Sequence, residues 1–459
     1  MTTIFAVVNK GLVCRNILRM GPLARLLDRP DARVVLFVPD RAIPDLRADF
    51  PDPRVVFEPL PPIGYSKLRR KLFVPLVRNS LFNRTRRIHM RYGTGKATAM
   101  PPWLYALTFA FYFPLSHVLF IRPALQWLEL RLFADRVFAP YFDRYRPEVA
   151  VQLSIFSKED IMLVKEAKRR RVPTVAMPKG WDTLDKLTMQ VHPDRLVAQN
   201  EPMREQAIRN HRYAPEDITL AGFPVFDAYL RPENAWTRER TCAALGVDPA
   251  KPYIVYGAEG PWSAGDPALV ERLAQWVREA SLGPLSLVVR PYFIDVDKKL
   301  YESVRGVPGV VIDDQHRLRD YFQDRWDPSP EEVVRFMNVV RHAAAVLCVR
   351  STLSLDAAVL DRPCINILYG VTVDKKGRDV TRWIYGVDFY QDVLKSGGVR
   401  MAHSDEELKR EIADAIAHPA ADAAGRARLR ERMCGPLDGR SAERVAAAIL
   451  AMARPGAPA

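Results

Sequence analysis

Thirteen short runs, β-branched and apolar on both faces, recur along this chain with helix-length stretches between several of them. A strand with no polar face must be covered on both sides, which is the environment of a parallel sheet packed between helices. The first seven runs fall at 4–8, 34–38, 55–58, 149–153, 174–177, 195–198 and 218–221. Helical stretches at 12–27, 158–171 and 201–211 separate several of them. The segment 229–251, rich in Pro, Arg and Ala, interrupts the alternation. It restarts with runs at 253–256, 285–289, 310–312, 344–349, 364–368 and 399–402. The pattern predicts two open α/β sheets. A length of 459 residues suits two domains of about 200 residues each. The expected division is a first domain at 1–228, a connector at 229–250, a second domain at 251–440, and a closing helix and tail at 441–459. Asp266 before Pro267 reads as a helix N-cap, and Ser404 with Glu407 as a capping box.

Charge is distributed unevenly. The net charge is +14, and no Asp or Glu occurs between Glu58 and Glu129. That stretch carries Lys67, Arg69, Arg70, Lys71, Arg78, Arg84, Arg86, Arg87, Arg91, Lys96 and Arg122. A basic block implies an anionic partner, phospholipid or nucleic acid. It contains a run without a charged side chain, 103–121, rich in Phe, Tyr and Leu. Three readings fit this run: a monotopic or re-entrant membrane element, a true span, or a buried helix. The aromatics cluster instead of alternating with the cations as a base-stacking groove prefers, so no nucleic acid is expected. The five cysteines are scattered without metal or disulfide spacing, and the N-terminus runs directly into a strand. A cytoplasmic protein, peripheral or monotopic on the inner face of the membrane, is the expectation.

The most informative local pattern is the strand at 344–349, followed by a polar turn (Arg350, Ser351, Thr352) and a short helix carrying Ser354 and Asp356. Free N–H groups and hydroxyls at such a turn can hold phosphate, and a carboxylate one turn further can hold a ribose. Helix capping by Ser351 or Thr352 explains the same residues without a ligand.

The spacing of Ser351, Asp356, Ala357 and Pro363 resembles the donor-site motif of the GT-B superfamily, as found in UDP-N-acetylglucosamine 2-epimerases and many glycosyltransferases. Stretches at 180–185, 193–196 and 221–227, with 396–400, Ser404…Leu408 and Asp438…Arg444, are similar to bacterial surface-polysaccharide transferases and CDP-glycerol glycerophosphotransferases. The resemblance covers roughly 150–450. It implies a GT-B-like fold, two facing Rossmann-like domains, with the basic aromatic segment at about 65–122 inserted in the first. It also implies a nucleotide-sugar as donor substrate, with no other cofactor. Relatives often carry Arg-x-His-Pro where this chain has Arg290-Pro-Tyr-Phe293, so that either Arg290 or Tyr292 takes the place of that His or the donor differs; Arg290 is the candidate phosphate contact.

In such a fold the loops after the strands face the cleft. Gly11 would then admit a ligand close to the backbone, and Trp181 would stack on a sugar. Asp182 would be the base that deprotonates an acceptor hydroxyl. Lys179, Glu259 and His192 are secondary candidates. The resulting expectation is a glycosyltransferase moving a sugar to a lipid-linked or envelope polysaccharide acceptor. Its rivals are a CDP-polyol phosphotransferase, a UDP-sugar 2-epimerase, and a non-enzymatic membrane-surface or nucleic-acid-binding protein. Asp295 and Asp297 mimic a metal-binding pair but lack further ligands nearby in sequence, so a metal-independent reaction is expected. Turnover of a nucleotide-sugar should therefore survive EDTA. Strict dependence on magnesium or manganese, lost in Asp295→Ala and Asp297→Ala, would transfer the chemistry to that pair.

Overall fold

The computed structural model describes residues 1–93, 99–133, 135–260, 263–293, 298–374 and 377–453. Its strands form two sheets, each parallel throughout. The first holds β1 (Thr2–Val7), β2 (Ala32–Val38), β3 (Val55–Pro59), β4 (Val149–Gln152), β5 (Thr174–Ala176), β6 (Arg195–Ala198) and β7 (Ile218–Leu220), in the order β3-β2-β1-β4-β5-β6-β7. The second holds β8 (Tyr253–Gly257), β9 (Ser286–Arg290), β10 (Val310–Ile312), β11 (Ala345–Cys348), β12 (Cys364–Ile367) and β13 (Arg400–Ala402), in the order β10-β9-β8-β11-β12-β13. All thirteen apolar runs are strands. Both sheets reverse their order beside their first strand, between β1 and β4 and between β8 and β11. Such reversals open a crevice at the carboxyl ends of the strands.

Local signals were less faithful than the strands. The stretch expected as one helix at 12–27 is broken into Gly11–Cys14, a widened turn at Arg15–Arg19, and Pro22–Leu27. The break is at Gly21, whose φ of 105° an L side chain rarely adopts. Asp266 does not cap its own helix. Its carboxylate accepts from the N–H groups of Glu259 and Gly260, at 2.8 and 2.9 Å, and pins the loop after β8. Ser404 Oγ accepts from Glu407 N, but the Glu407 carboxylate turns to His403 N instead of closing the box. A reciprocal box occurs at Ser329 and Glu332.

Two segments tie the halves together. The loop between β10 and the helix Pro330–Arg341 crosses to the first sheet, where Phe322 enters its core. Arg19 pairs with Asp327 at 3.0 Å, and Gln323 N donates to Asn9 O at 3.0 Å. The last helix, Ser441–Met452, also returns to the first sheet, burying Val445, Ala446 and Ile449 there. Its first N–H groups are met by Asp227, which accepts from Ser441 N and Ala442 N at 3.1 and 2.9 Å.

The basic segment lies between β3 and β4. Arg69 is not at the surface but buried in an ion cluster with Glu129, Asp135 and Lys165. The helix Pro102–His117 has no buried residue, which removes the buried-helix reading of 103–121. Trp103, Leu107, Phe111, Leu119 and Phe120 are all more than half exposed. Among the described residues no single helix is long and apolar enough to cross a membrane. Pro102–His117 and Ile121–Leu132, bent by 95°, pass that test together by length and composition.

Removing the Asp227 carboxylate leaves two helix-end N–H groups unmet. Asp227→Ala should cost about 1–2 kcal/mol, measured as a lowered urea midpoint by circular dichroism. An unchanged midpoint would mean that the closing helix is held by its apolar face alone.

Candidate functional site

The strand ends at the two crevices bring together cations with few acids. Lys10 follows β1, and its Nζ donates to Ser154 Oγ, beyond β4, at 3.0 Å. Lys179 follows β5; burial lowers its pKa, and Lys10 and Lys186 push the same way. Arg350 follows β11, donates to Ile384 O at 2.9 Å and lies 5.3 Å from the Phe389 ring centroid. Among the described residues, Lys10, Lys179 and Arg350 have no carboxylate within ion-pair distance, whereas Lys186 pairs with Asp182. Burial would raise the Asp182 carboxyl, but Lys186, Lys179 and Arg350 together hold it below the usual range.

Two groups here titrate far from their ordinary values. Burial pushes the Glu259 carboxyl up to about 8, against the pull of Arg350 and with the help of Asp266. Burial takes the His89 imidazole down to about 3, and Arg350, Lys186 and Arg86 add to the effect. His89 Nε2 is enclosed and has no hydrogen-bond partner. Perturbed groups gathered in a crevice mark a functional site better than either does alone.

His89 belongs to the helix Arg84–Tyr92, so the basic insertion forms a wall of the cleft. That helix is fixed against both halves. Thr85 Oγ1 donates to Asp185 and accepts from Asp388 N, and Tyr92 stacks on Trp383 with ring centroids 5.5 Å apart.

The residues singled out from sequence divide sharply. Ser351 Oγ accepts from Leu353 N at 3.3 Å, a local turn bond. The exposed Thr352 hydroxyl accepts from Trp181 Nε1, at 3.2 Å, across the cleft. Trp181 is therefore no open stacking platform: it is 5% exposed and edge-on to Phe389. Ser354 faces the core of the second domain, bonded to Tyr390 OH at 2.8 Å and Asn366 Nδ2 at 3.1 Å. Asp356 is buried, with its carboxylate accepting from Tyr229 OH at 2.8 Å and its pKa raised by burial to about 6. Arg290 is taken by Asp313, at 2.6 Å, and sits over Phe336. Gly11 does permit close approach, but to protein: a Cβ there would lie 1.1 Å from Trp326 O. Asp324 accepts from Gly11 N and Leu12 N at 2.8 and 3.2 Å, filling the anion position at that turn. His192 stacks on Tyr213 and bonds His211 O. Asp295 and Asp297 lie outside the described residues.

Lys10, His89 and Arg15 escaped the sequence reading. Arg15 is the cation facing Asp356, Tyr229 and Asp324 across the interface, 5.1 Å from the Trp326 ring centroid. Lys10 adjoins the singled-out Gly11, but nothing around His89 sets it apart from the surrounding arginines.

No family model and no curated protein matches the sequence. Solved structures do. The chain is similar to a UDP-GlcNAc 2-epimerase from Neisseria meningitidis bound to UDP-GlcNAc, with TM-score 0.54 and 10% identity over 98% of this chain and 100% of that one. It is also similar to S. aureus MnaA with UDP, with TM-score 0.51 and 13% identity over 96% and 94%. The wall teichoic acid polymerase TagF follows at TM-score 0.50 and 10% identity over 98% and 88%. The fold is GT-B. In this fold the cation cluster lies where the two crevices face each other.

The raised Glu259 value makes stability depend on pH. Its carboxyl ordinarily titrates near 4.5 and here near 8. The protonated form therefore contributes stability that is complete below about 4.5 and lost as pH rises through about 8. The wild type should fall behind Glu259→Gln in melting temperature across that window and then hold a constant gap. Parallel profiles would show that Glu259 titrates normally.

Proposed function

We propose that this protein is a nucleotide-sugar-dependent glycosyltransferase acting at an anionic membrane surface on a lipid-linked or polysaccharide acceptor. One observation carries the reading: a cluster of cations in which Lys10, Lys179 and Arg350 have no carboxylate partner among the described residues and Lys186 pairs with Asp182, set between the crevices of a GT-B fold, is shared with the helix Arg84–Tyr92 of an insertion that exposes apolar surface. Lys179, Lys186 and Arg350 suit the diphosphate of the donor. They would stabilise it as it leaves, without help from a metal. The named structural neighbours that bind UDP or UDP-GlcNAc support this class of donor. The insertion favours transfer over epimerisation, because it joins the cleft to a surface suited to a lipid-linked acceptor.

Asp182 is the proposed base for the acceptor hydroxyl. As the cleft stands, its cationic neighbours keep it a weak base. A bound diphosphate would neutralise them, raise the carboxyl and couple deprotonation to the presence of donor.

A thermal-shift panel of UDP-, GDP-, CDP- and CMP-linked donors tests the assignment, since a ligand at about 100 times its Kd adds about 2.7 kcal/mol of stability. Arg350→Ala should weaken binding of the responding donor by about 1.5–3 kcal/mol. Asp182→Asn should keep the shift and slow transfer by about 100-fold or more. Conversion of UDP-GlcNAc to its 2-epimer, followed by NMR without added acceptor, would replace the transferase reading. No shift with any donor would remove the nucleotide.

A further inference from the structure

A second cationic site lies apart from the donor cluster. A cavity of about 230 Å³ opens between the helix Ile121–Leu132 and the helix Glu201–His211, lined by Arg122, Gln126, Thr188, His192, Asn210 and Arg212 among others. No carboxylate is among its lining residues. Arg122 donates to three neutral carbonyls, Ser80 O at 3.3 Å, Asn210 O at 2.5 Å and Ser116 O at 3.2 Å. These orient the guanidinium without cancelling its charge and leave two of its five N–H groups for a ligand. Arg212, exposed at the end of the helix Glu201–His211, is close enough to depress the Arg122 pKa after burial has done so. His211 is driven by burial to about 4 and stays neutral. Two guanidinium groups held near one space with no acid between them form a site for an anion.

The surroundings indicate which anion. The Ser116 carbonyl that accepts from Arg122 belongs to the exposed helix Pro102–His117. Leu119 and Phe120, which follow it, are 74% and 69% exposed, and Trp127 on the Arg122 helix is 56% exposed. A free phosphate gains nothing from that apolar rim, whereas a lipid can lay its chains there. The volume is below the roughly 300–1,000 Å³ of pockets that enclose drug-sized ligands, so it suits a headgroup better than a whole nucleotide-sugar. We infer that this cavity binds the phosphate headgroup of a membrane lipid, with Arg122 and Arg212 as its ligands and the acyl chains along the exposed aromatic surface. The inference rests on the membrane reading given above. It also reaches the catalytic loop: His211 Nε2 donates to Leu184 O at 2.8 Å, and Asn210 Nδ2 donates to Asp185 at 3.2 Å. A bound headgroup would therefore steady the segment that carries Asp182.

Co-sedimentation of the full chain with phosphatidylcholine vesicles, given equal negative charge as phosphatidylserine or as phosphatidic acid, tests the assignment. The wild type should prefer phosphatidic acid, whose phosphate is unshielded. Arg212→Asn, at a left-handed position that Asn tolerates, should reduce that preference about fivefold, and Arg122→Gln should do likewise. Lys67→Gln with Lys71→Gln, on the open surface, should weaken both anionic vesicles equally. An unchanged preference in Arg212→Asn, or a loss matched by the Lys67 and Lys71 pair, would overturn the site. Calorimetry with soluble dihexanoyl phosphatidic acid and with inorganic phosphate separates the sources. Binding of the short-chain lipid without attachment to any vesicle would sink the membrane reading and keep the cavity. Equal affinity for inorganic phosphate would leave a simple anion site and overturn the lipid assignment.

Discussion

The carboxylate of Asp324 on the N–H groups of Gly11 and Leu12 is a contact on which the docking of the two halves depends. Unpaired N–H groups at a helix start attract an anion, and here the anion arrives on a loop of the opposite domain. The contact requires glycine, since the Trp326 carbonyl occupies the place of a side chain at position 11. Phe322, sunk in the first core, and the Arg19–Asp327 pair hold the same loop in place. The cleft chemistry follows from this docking, because Lys10 and Lys179 come from one sheet, and Arg350 and Glu259 from the other.

The fold was legible wherever burial on both faces dictated composition. The stretch Ile4–Val7 of β1 and the whole of β11 carry only apolar residues, so their positions stand out although each is short. What could not be read were contacts between distant segments. The loop 313–329 is mostly polar, and its large apolar residues, Leu318, Tyr321, Phe322 and Trp326, do not by themselves say which sheet they reach. Asp266 looked like a cap because its neighbour is Pro267, yet its carboxylate found better donors in the loop after β8.

The crevice that holds the candidate site was legible, and the contacts of individual side chains were less so. Loops following the strands do face the cleft, as the alternation of elements requires. Individual roles depend on which neighbour reaches a side chain first. Ser354 and Thr352 are two residues apart, but the helix turns one into the Tyr390–Asn366 core and leaves the other facing Trp181. Arg290 and Asp356 had the right chemistry for a donor and are engaged by Asp313 and Tyr229. His89 was hidden for the opposite reason. It sits among arginines whose charge suggested a surface, in a helix that packs inward.

The return of the helix Ser441–Met452 to the first sheet bears on how the protein is made. Val445, Ala446 and Ile449 complete a core whose other members begin at Ile4. At about 5–20 residues per second, the ribosome needs roughly 10–45 s to pass from the end of the first sheet to this helix. By the end of that interval the second domain has all its own strands, while the first, made earlier, has waited throughout with part of its apolar surface uncovered. The order of synthesis and the order of completion are reversed. A nascent chain of this kind offers a long window for holding chaperones, and any message truncated near its end releases a protein whose oldest domain is the unfinished one.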